Sequence, residues 1–172
     1  AIHDGHLSLI RHAATVADGR SPVVVTIFVN PRQFAPHEDF DAYPRDLDAD
    51  AIACQMAGAD VIFAPTIETI YPPDVPVWEP ELPNVATAPH LEDAARPHFF
   101  GGVTTVVARL LDILQPLQLI LGEKDYQQCR VIDAMVRSHL QRWPGLDVIN
   151  CPTVREEDGL AMSSRNAYLD QA

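Results

Sequence analysis

The sequence has 172 residues, with 12 Lys plus Arg set against 24 Asp plus Glu, so its formal charge is −12 with all seven His neutral. That length predicts one domain, or one and a fraction, and an apolar share of 47% with 21% charged residues supplies a real core and excludes a disordered chain. The acidic balance opposes nucleic acid and anionic membrane surfaces, because repulsion acts before any contact forms.

Cys54, Cys129 and Cys151 lack the paired spacing of a zinc site or disulfide framework and fit reduced thiols. The longest apolar run, around Pro22 to Val29, is too short to span a bilayer, and the first residues show no basic-then-apolar signal. The expectation is a soluble cytoplasmic protein with no nucleic-acid or membrane partner.

Taken in chain order, Leu7, Ile10, Ala14 and Ala17 fall on one face of a helix over His6 to Ala17. The continuous β-branched run Val23 to Val29 predicts a strand buried on both faces of a parallel sheet, ended by Asn30-Pro31. A helix is expected over Leu47 to Ala57, stopped by Gly58, then a strand over Val61 to Ala64. Seven of the fifteen prolines crowd into residues 71–97, which reads as a long surface excursion. Periodicity returns with a helix over Val103 to Leu114, a strand over Leu117 to Leu121, a helix over Tyr126 to Leu140 and a strand over Leu146 to Cys151; residues 152–172 read as loop. The alternation predicts an α/β fold with a doubly wound, Rossmann-like parallel sheet. A chain that opens on a helix leaves such a sheet without its first strand, so residues 1–172 are expected to be one nucleotide-binding domain clipped at both ends.

Four clusters carry chemistry. His3-Asp4-Gly5-His6 stands at the entry to the first helix, where free N–H groups and the positive end of the dipole bind anions. Two imidazoles three positions apart can face one phosphate, and Gly5 would let that phosphate approach the backbone. A zinc reading of His3, His6 and Asp4 lacks a further ligand at a recognisable spacing. Lys124, the single lysine of the chain, lies in Gly122-Glu123-Lys124-Asp125 at a strand exit, and a compact ammonium there suits a phosphate. Met162-Ser163-Ser164-Arg165 offers hydroxyls and a guanidinium in succession. Gln33, after the first strand, with Gln127 and Gln128 after Lys124, suits a hydroxyl- and carboxylate-bearing small molecule, although glutamines often simply face solvent. The acidic residues Glu38, Asp39, Asp41, Asp46, Asp48 and Asp50 could hold Mg²⁺ but read more simply as loop and helix-start charges.

Five blocks, Ile2 to Ile10, Ile27 to Phe34, Asp41 to Arg45, Gly122 to Gln128 and Asp158 to Asn166, occur in the order of one family. On them the chain resembles the pantothenate synthetase (pantoate–β-alanine ligase) family of HIGH-type nucleotidyltransferases. The resemblance implies a two-step reaction through a pantoyl adenylate, with ATP, bound as its Mg²⁺ complex, consumed in the first step, β-alanine in the second, and a homodimeric enzyme. It places Ala1, Ile2, His3, Asp4, Gly5, His6, Gly122, Glu123, Lys124, Asp125, Val154, Met162, Ser163, Ser164 and Arg165 at ATP, and Gln33 and Gln128 at pantoate. His6 would be the proton donor, in its protonated form, with His3 and Lys124 on the phosphates. The ligands of the metal are not implied. Three departures stand out: the Met-Gly that precedes the first motif residue in the family is missing, with its strand and part of the ATP loop; Arg96 to Val103 sets Phe99 where the family has His, with His98 one residue early; and the lid domain of relatives is expected to be absent. The alternatives are another HIGH-type nucleotidyltransferase and a non-catalytic nucleotide-binding module.

Overall fold

The computed structural model describes residues 2–34, 46–88 and 90–169. Helix α1 (Asp4–Ala17) starts two residues earlier than its apolar periodicity suggests, because His3 caps it. It is followed by β1 (Val24–Thr26), α2 (Leu47–Ala57), β2 (Val61–Phe63) and the single turn α3 (Ile67–Ile70). Then come another single turn, α4 (Glu92–Ala95), α5 (Phe99–Leu114), β3 (Gln118–Gly122), α6 (Tyr126–Ser138) and β4 (Asp147–Cys151).

All strand pairing in these elements is parallel. Val24 sits opposite Val61 and Thr26 opposite Phe63; Gln118 sits opposite Asp147 and Gly122 opposite Cys151. Among the described residues, β1–β2 and β3–β4 are separate two-stranded pairs. Helices cover both faces. Val25 and Ile62 pack with Ile10 of α1 and with Cys54 and Ala57 of α2, whereas Leu119, Leu121 and Val148 pack against α5 and α6 through Val103, Leu111, Ile132 and Met135.

The strand expected over Val23 to Val29 is shorter and less buried than its composition suggests. Only Val24–Thr26 is regular strand, and both Val24 and Thr26 are exposed. A β-branched run reports β-propensity, but burial depends on what covers each face, and only the Val25 side is packed by α1 and α2.

The proline-rich segment lies as a strap packed on the core. Ala86 is buried, and Trp78, Leu82 and Val85 pack against the α5–α6 cluster. Arg142 stacks over the Trp78 ring at 4.3 Å and pairs with Asp112 through two hydrogen bonds of 2.9 and 2.6 Å. Asp112 also accepts from Trp143 Nε1 at 3.0 Å. Prolines suppress regular structure in such a segment without preventing its side chains from anchoring it.

Helix α5 begins four residues before the expected Val103, so Gly101 and Gly102 lie within it. Gly102 is there for a close approach: a Cβ on it would stand 2.5 Å from the carbonyl oxygen of Arg32.

Candidate nucleotide site

The loops that leave β1, β3 and β4 meet the first turn of α1 at the carboxyl ends of the strands, where open α/β sheets bind ligands. A cleft of about 550 Å³ opens there. His3, His6, Lys124, Ser163, Ser164 and Arg165 line it together with Gln33, Arg96, Phe99, Gln127 and Gln128. Residues from both ends of the chain therefore share one cavity.

The two histidines form a capping box. The Gly5 backbone N–H donates to His3 Nδ1 at 3.2 Å and the His3 N–H points to His6 Nδ1 at 3.4 Å, with ring centroids 3.9 Å apart. Each Nδ1 is thus an acceptor, which leaves the proton on Nε2. Gly5 makes room for this arrangement: a Cβ on it would lie 2.9 Å from the His3 ring.

Desolvation, then the His3 ring, and also the Lys124 ammonium push His6 down to about 4; desolvation first and then Lys124 lower His3. Without a ligand these effects favour the neutral ring of His6, with its proton on Nε2. A cleft wall that already carries a cation penalises a second positive charge.

Lys124 sits in a 3₁₀ turn between β3 and α6, 3.4 Å from Asp125. Behind it, desolvation raises the Cys129 thiol to about 11, so it stays protonated and donates to the Gly122 carbonyl at 3.2 Å. Cys129 is a buried packing group rather than a nucleophile.

A hairpin returns the last strand exit to the site. Arg155 bridges Ala161, the Met162 N–H donates to the Val154 carbonyl at 3.0 Å, and Gly159 supplies the turn at φ 91°. The loop then closes as Ser163 caps the 3₁₀ turn Ser164–Tyr168 by accepting from the Arg165 N–H.

Gln33 is fixed by its surroundings. Asn30, buried at 3% exposure, donates to the Gly102 carbonyl at 3.1 Å and accepts from Tyr71 Oη at 2.8 Å and from the Arg32 N–H at 3.1 Å. Burial raises the Tyr71 phenol to about 12, so it remains a donor. Arg96 Nη2 donates to the Gln33 carbonyl.

Other expected residues stand outside the cleft lining. Ile2 donates its N–H to Asp50 at 2.7 Å, Gly122 lies against Leu9, and Val154 and Met162 pair with each other in the hairpin. Asp4 and Glu123 are exposed, and His98 is an exposed residue at the start of α5. Ala1 and the acidic and tyrosine-containing blocks within 35–45 lie outside the described residues. Asp46 caps α2, and Asp50 holds Ile2. Among the described residues, no group of three or more His, Cys, Asp or Glu is placed to hold a metal, and no helix is long and apolar enough to cross a membrane.

Gln127 borders the cleft, but its amide is nearly buried and bonded to Asp93, Val85 and Glu92. Sequence reasoning placed the Asn30 amide at this edge without its partners, and missed Tyr71, Arg96 and the pairing of Gln127 with Asp93. Polar residues in loops carry no periodic signal that separates a buried partner from a solvated one.

Parallel strands with helices on both faces and a polar cleft at their carboxyl ends define a Rossmann-like α/β fold of the HIGH nucleotidyltransferase type. The pattern of the Pantoate-beta-alanine ligase family matches residues 1–172, and the chain belongs to that family. It is 52% identical over 170 residues to the pantothenate synthetase of Rhodopseudomonas palustris, covering 98% of this chain and 57% of that one. The pantothenate synthetase of Streptomyces coelicolor is 47% identical, with 100% and 50% covered. Among solved structures, a Thermus thermophilus pantothenate synthetase superposes with a TM-score of 0.85 at 46% identity, over 99% of this chain and 59% of that one. A Francisella tularensis pantoate-beta-alanine ligase, complexed with beta-gamma ATP and beta-alanine, gives 0.82 at 39% identity, over 99% and 62%. The chain thus spans somewhat over half the length of these relatives.

Proposed function

We propose that the chain carries the adenylating site of an ATP-dependent ligase that joins pantoate to β-alanine. In the first step a pantoate carboxylate oxygen attacks the α-phosphorus of ATP and pyrophosphate leaves. In the second, the amine of β-alanine attacks the acyl carbon of the pantoyl adenylate, loses a proton and expels AMP, leaving pantothenate.

The observation that carries this reading is the convergence of His3, His6, Lys124 and the Ser163–Arg165 loop on one cleft. Phosphoryl chemistry of this kind needs positioning and charge neutralisation more than a protein nucleophile. Lys124 and Arg165 neutralise phosphate charge, and the Ser163 and Ser164 hydroxyls donate to phosphate oxygens. His3 and His6 present Nε2–H groups to the charge that develops on the leaving pyrophosphate. A bound polyphosphate raises the His6 pKa, so the ring gains proton-donor character as ATP arrives. Gln33 and Gln128 hold the hydroxyl and carboxylate groups of pantoate.

Magnesium enters with ATP as part of the substrate. Such a metal needs only one or two protein carboxylates besides phosphate oxygens, and Asp125 lies in the cleft beside Lys124. The same reading assigns a cytoplasmic location and a homodimer, which sedimentation equilibrium checks.

The test is pyrophosphate release by the full-length protein carrying this chain, supplied with Mg²⁺, ATP and pantoate, with and without β-alanine. Release that requires pantoate, with pantothenate formed only when β-alanine is added, is the expected result. ATP binding with no pantoate-dependent pyrophosphate would instead make this a non-catalytic nucleotide-binding module.

A further inference from the structure

We propose that Asp93 and Gln127 form a positioning latch that sets the acceptor side of the cleft. The inference rests on the ligase reading above, since its readout is pantoate. Both side chains are buried, each at 8% exposure. Gln127 Nε2 donates to Asp93 Oδ1 at 2.8 Å and to the Val85 carbonyl at 3.0 Å, while its Oε1 accepts the Glu92 N–H at 3.0 Å. Asp93 also accepts the Leu91 N–H at 2.8 Å and the His90 N–H at 3.1 Å. One amide therefore ties the strap at residues 85 and 92–93 to the first turn of α6. The carboxylate it holds closes a turn in which His90 adopts φ 56°, a conformation that a non-glycine residue keeps only when its surroundings enforce it.

What the latch controls lies on both sides of it. The residue after Gln127 is Gln128, in the cleft wall. On the strap, Leu91 stands in the cleft at 62% exposure. Arg96, at the end of α4, pairs with Glu92 at 3.1 Å, stacks over the Phe99 ring at 4.2 Å and donates to the carbonyl of Gln33. The path from Gln127 through α4 thus ends on the backbone of one glutamine while its other end abuts the second. The histidines hang on α1 and Ser163–Arg165 on the final hairpin, neither hydrogen-bonded to this pair, while Lys124 stands in the turn that leads into α6 and Gln127 itself borders the cleft. Releasing the latch should therefore disturb the acceptor half of the cleft and spare the nucleotide half.

Gln127→Glu tests this with a signature that simple destabilisation does not produce. While protonated, the introduced carboxyl can donate its proton to Asp93 and keep the latch; once ionised, it sets two carboxylates against each other. The groups facing that position are Asp93 and Glu92 of α4 and His90 before it, with Lys124 and Asp125 in the turn that leads into α6. In the full-length protein, KM for pantoate in Gln127→Glu should lie near the wild-type value at about pH 6 and rise at least about tenfold above it by about pH 9, one lost buried hydrogen bond. The Kd for ATP should stay unchanged throughout. Gln127→Met should show the raised KM at every pH, and Asp93→Asn should reproduce the split between pantoate and ATP if Gln127→Glu does not fold. A Gln127→Glu profile that tracks the wild type, or an ATP affinity that falls in step with pantoate, overturns the latch. A wild-type protein with no pantoate-dependent turnover overturns the functional reading itself, and is told apart because the failure appears before any substitution is made.

Discussion

Replacing Gly102 by Ala tests whether the approach of α5 to the Gln33 loop is as tight as it looks. The added methyl would stand 2.5 Å from the Arg32 carbonyl oxygen, 2.8 Å from its carbon and 3.2 Å from Gln33 Cγ, where ordinary contact begins at 3.4 Å. Two of these three neighbours are backbone, so no rotamer change relieves the clash and the loop must retreat by about 1 Å. Overpacking of this kind costs about 3 kcal/mol at its upper end, and the better helix propensity of Ala returns about 1 kcal/mol, so the net loss is about 2 kcal/mol. For a domain of this size that lowers Tm by roughly 4–8 °C. Because the retreat carries Gln33 with it, kcat/KM for pantoate should fall by about 100-fold, while ATP affinity holds. Gly101→Ala is the internal control: no atom lies within 4 Å of its Cβ position, so it should match or exceed the wild type in stability. Thermal unfolding and steady-state kinetics of the two variants decide the matter. A Gly102→Ala protein with wild-type Tm and wild-type pantoate kinetics would refute the argument.

Lys124→Ala should abolish adenylate formation, by at least about 100-fold, with an unchanged melting curve, since Lys124 makes only a 3.4 Å contact with exposed Asp125; near-normal pyrophosphate release would remove its phosphate role. Titration calorimetry of ATP in buffers of different ionisation enthalpy should reveal proton uptake below about pH 6.5, because His6 starts at about 4 and a polyanion raises it; His6→Gln should reduce that uptake. A lowered histidine pKa also means that the unfolded chain binds the proton first. The His6 contribution should therefore disfavour the fold as pH falls from about 6.5 to about 4, and urea titrations of wild type and His6→Gln across that window should converge at neutral pH and diverge in acid. Asp112→Ala leaves Arg142 and the Trp143 indole N–H without their acceptor and should cost about 2 kcal/mol in urea denaturation, with ATP affinity unaltered at the opposite end of the strands.

Several features were legible before any coordinate. The α/β alternation, the position of α2 and its stop at Gly58, and the assembly of separated motifs at strand exits all follow from side-chain period and from which residues end a helix or strand. The same reasoning erred where a property belongs to a neighbour rather than to the residue. Val24 and Thr26 have strand chemistry but face away from α1 and α2. Gln127 and Gln128 are adjacent and identical and both border the cleft, yet Gln127 is nearly buried and bonded to Asp93 while Gln128 is not, because successive positions on a helix point about 100° apart. The prolines of 71–97 leave only short turns of helix there, but Trp78 and Ala86 still find the core.

By itself, then, the order of residues determined the class of fold, the family, and a shortlist of candidate side chains for phosphate, since these depend on local periodicity and on motif text. Only the tertiary structure decided the protonation and tautomer of His3 and His6, the task of Gly5 and Gly102, and the fixing of Gln33 by Asn30, Tyr71 and Arg96. Those properties come from atoms distant in sequence brought within a few ångströms, where desolvation, steric exclusion and hydrogen-bond satisfaction act on distance and not on spacing along the chain.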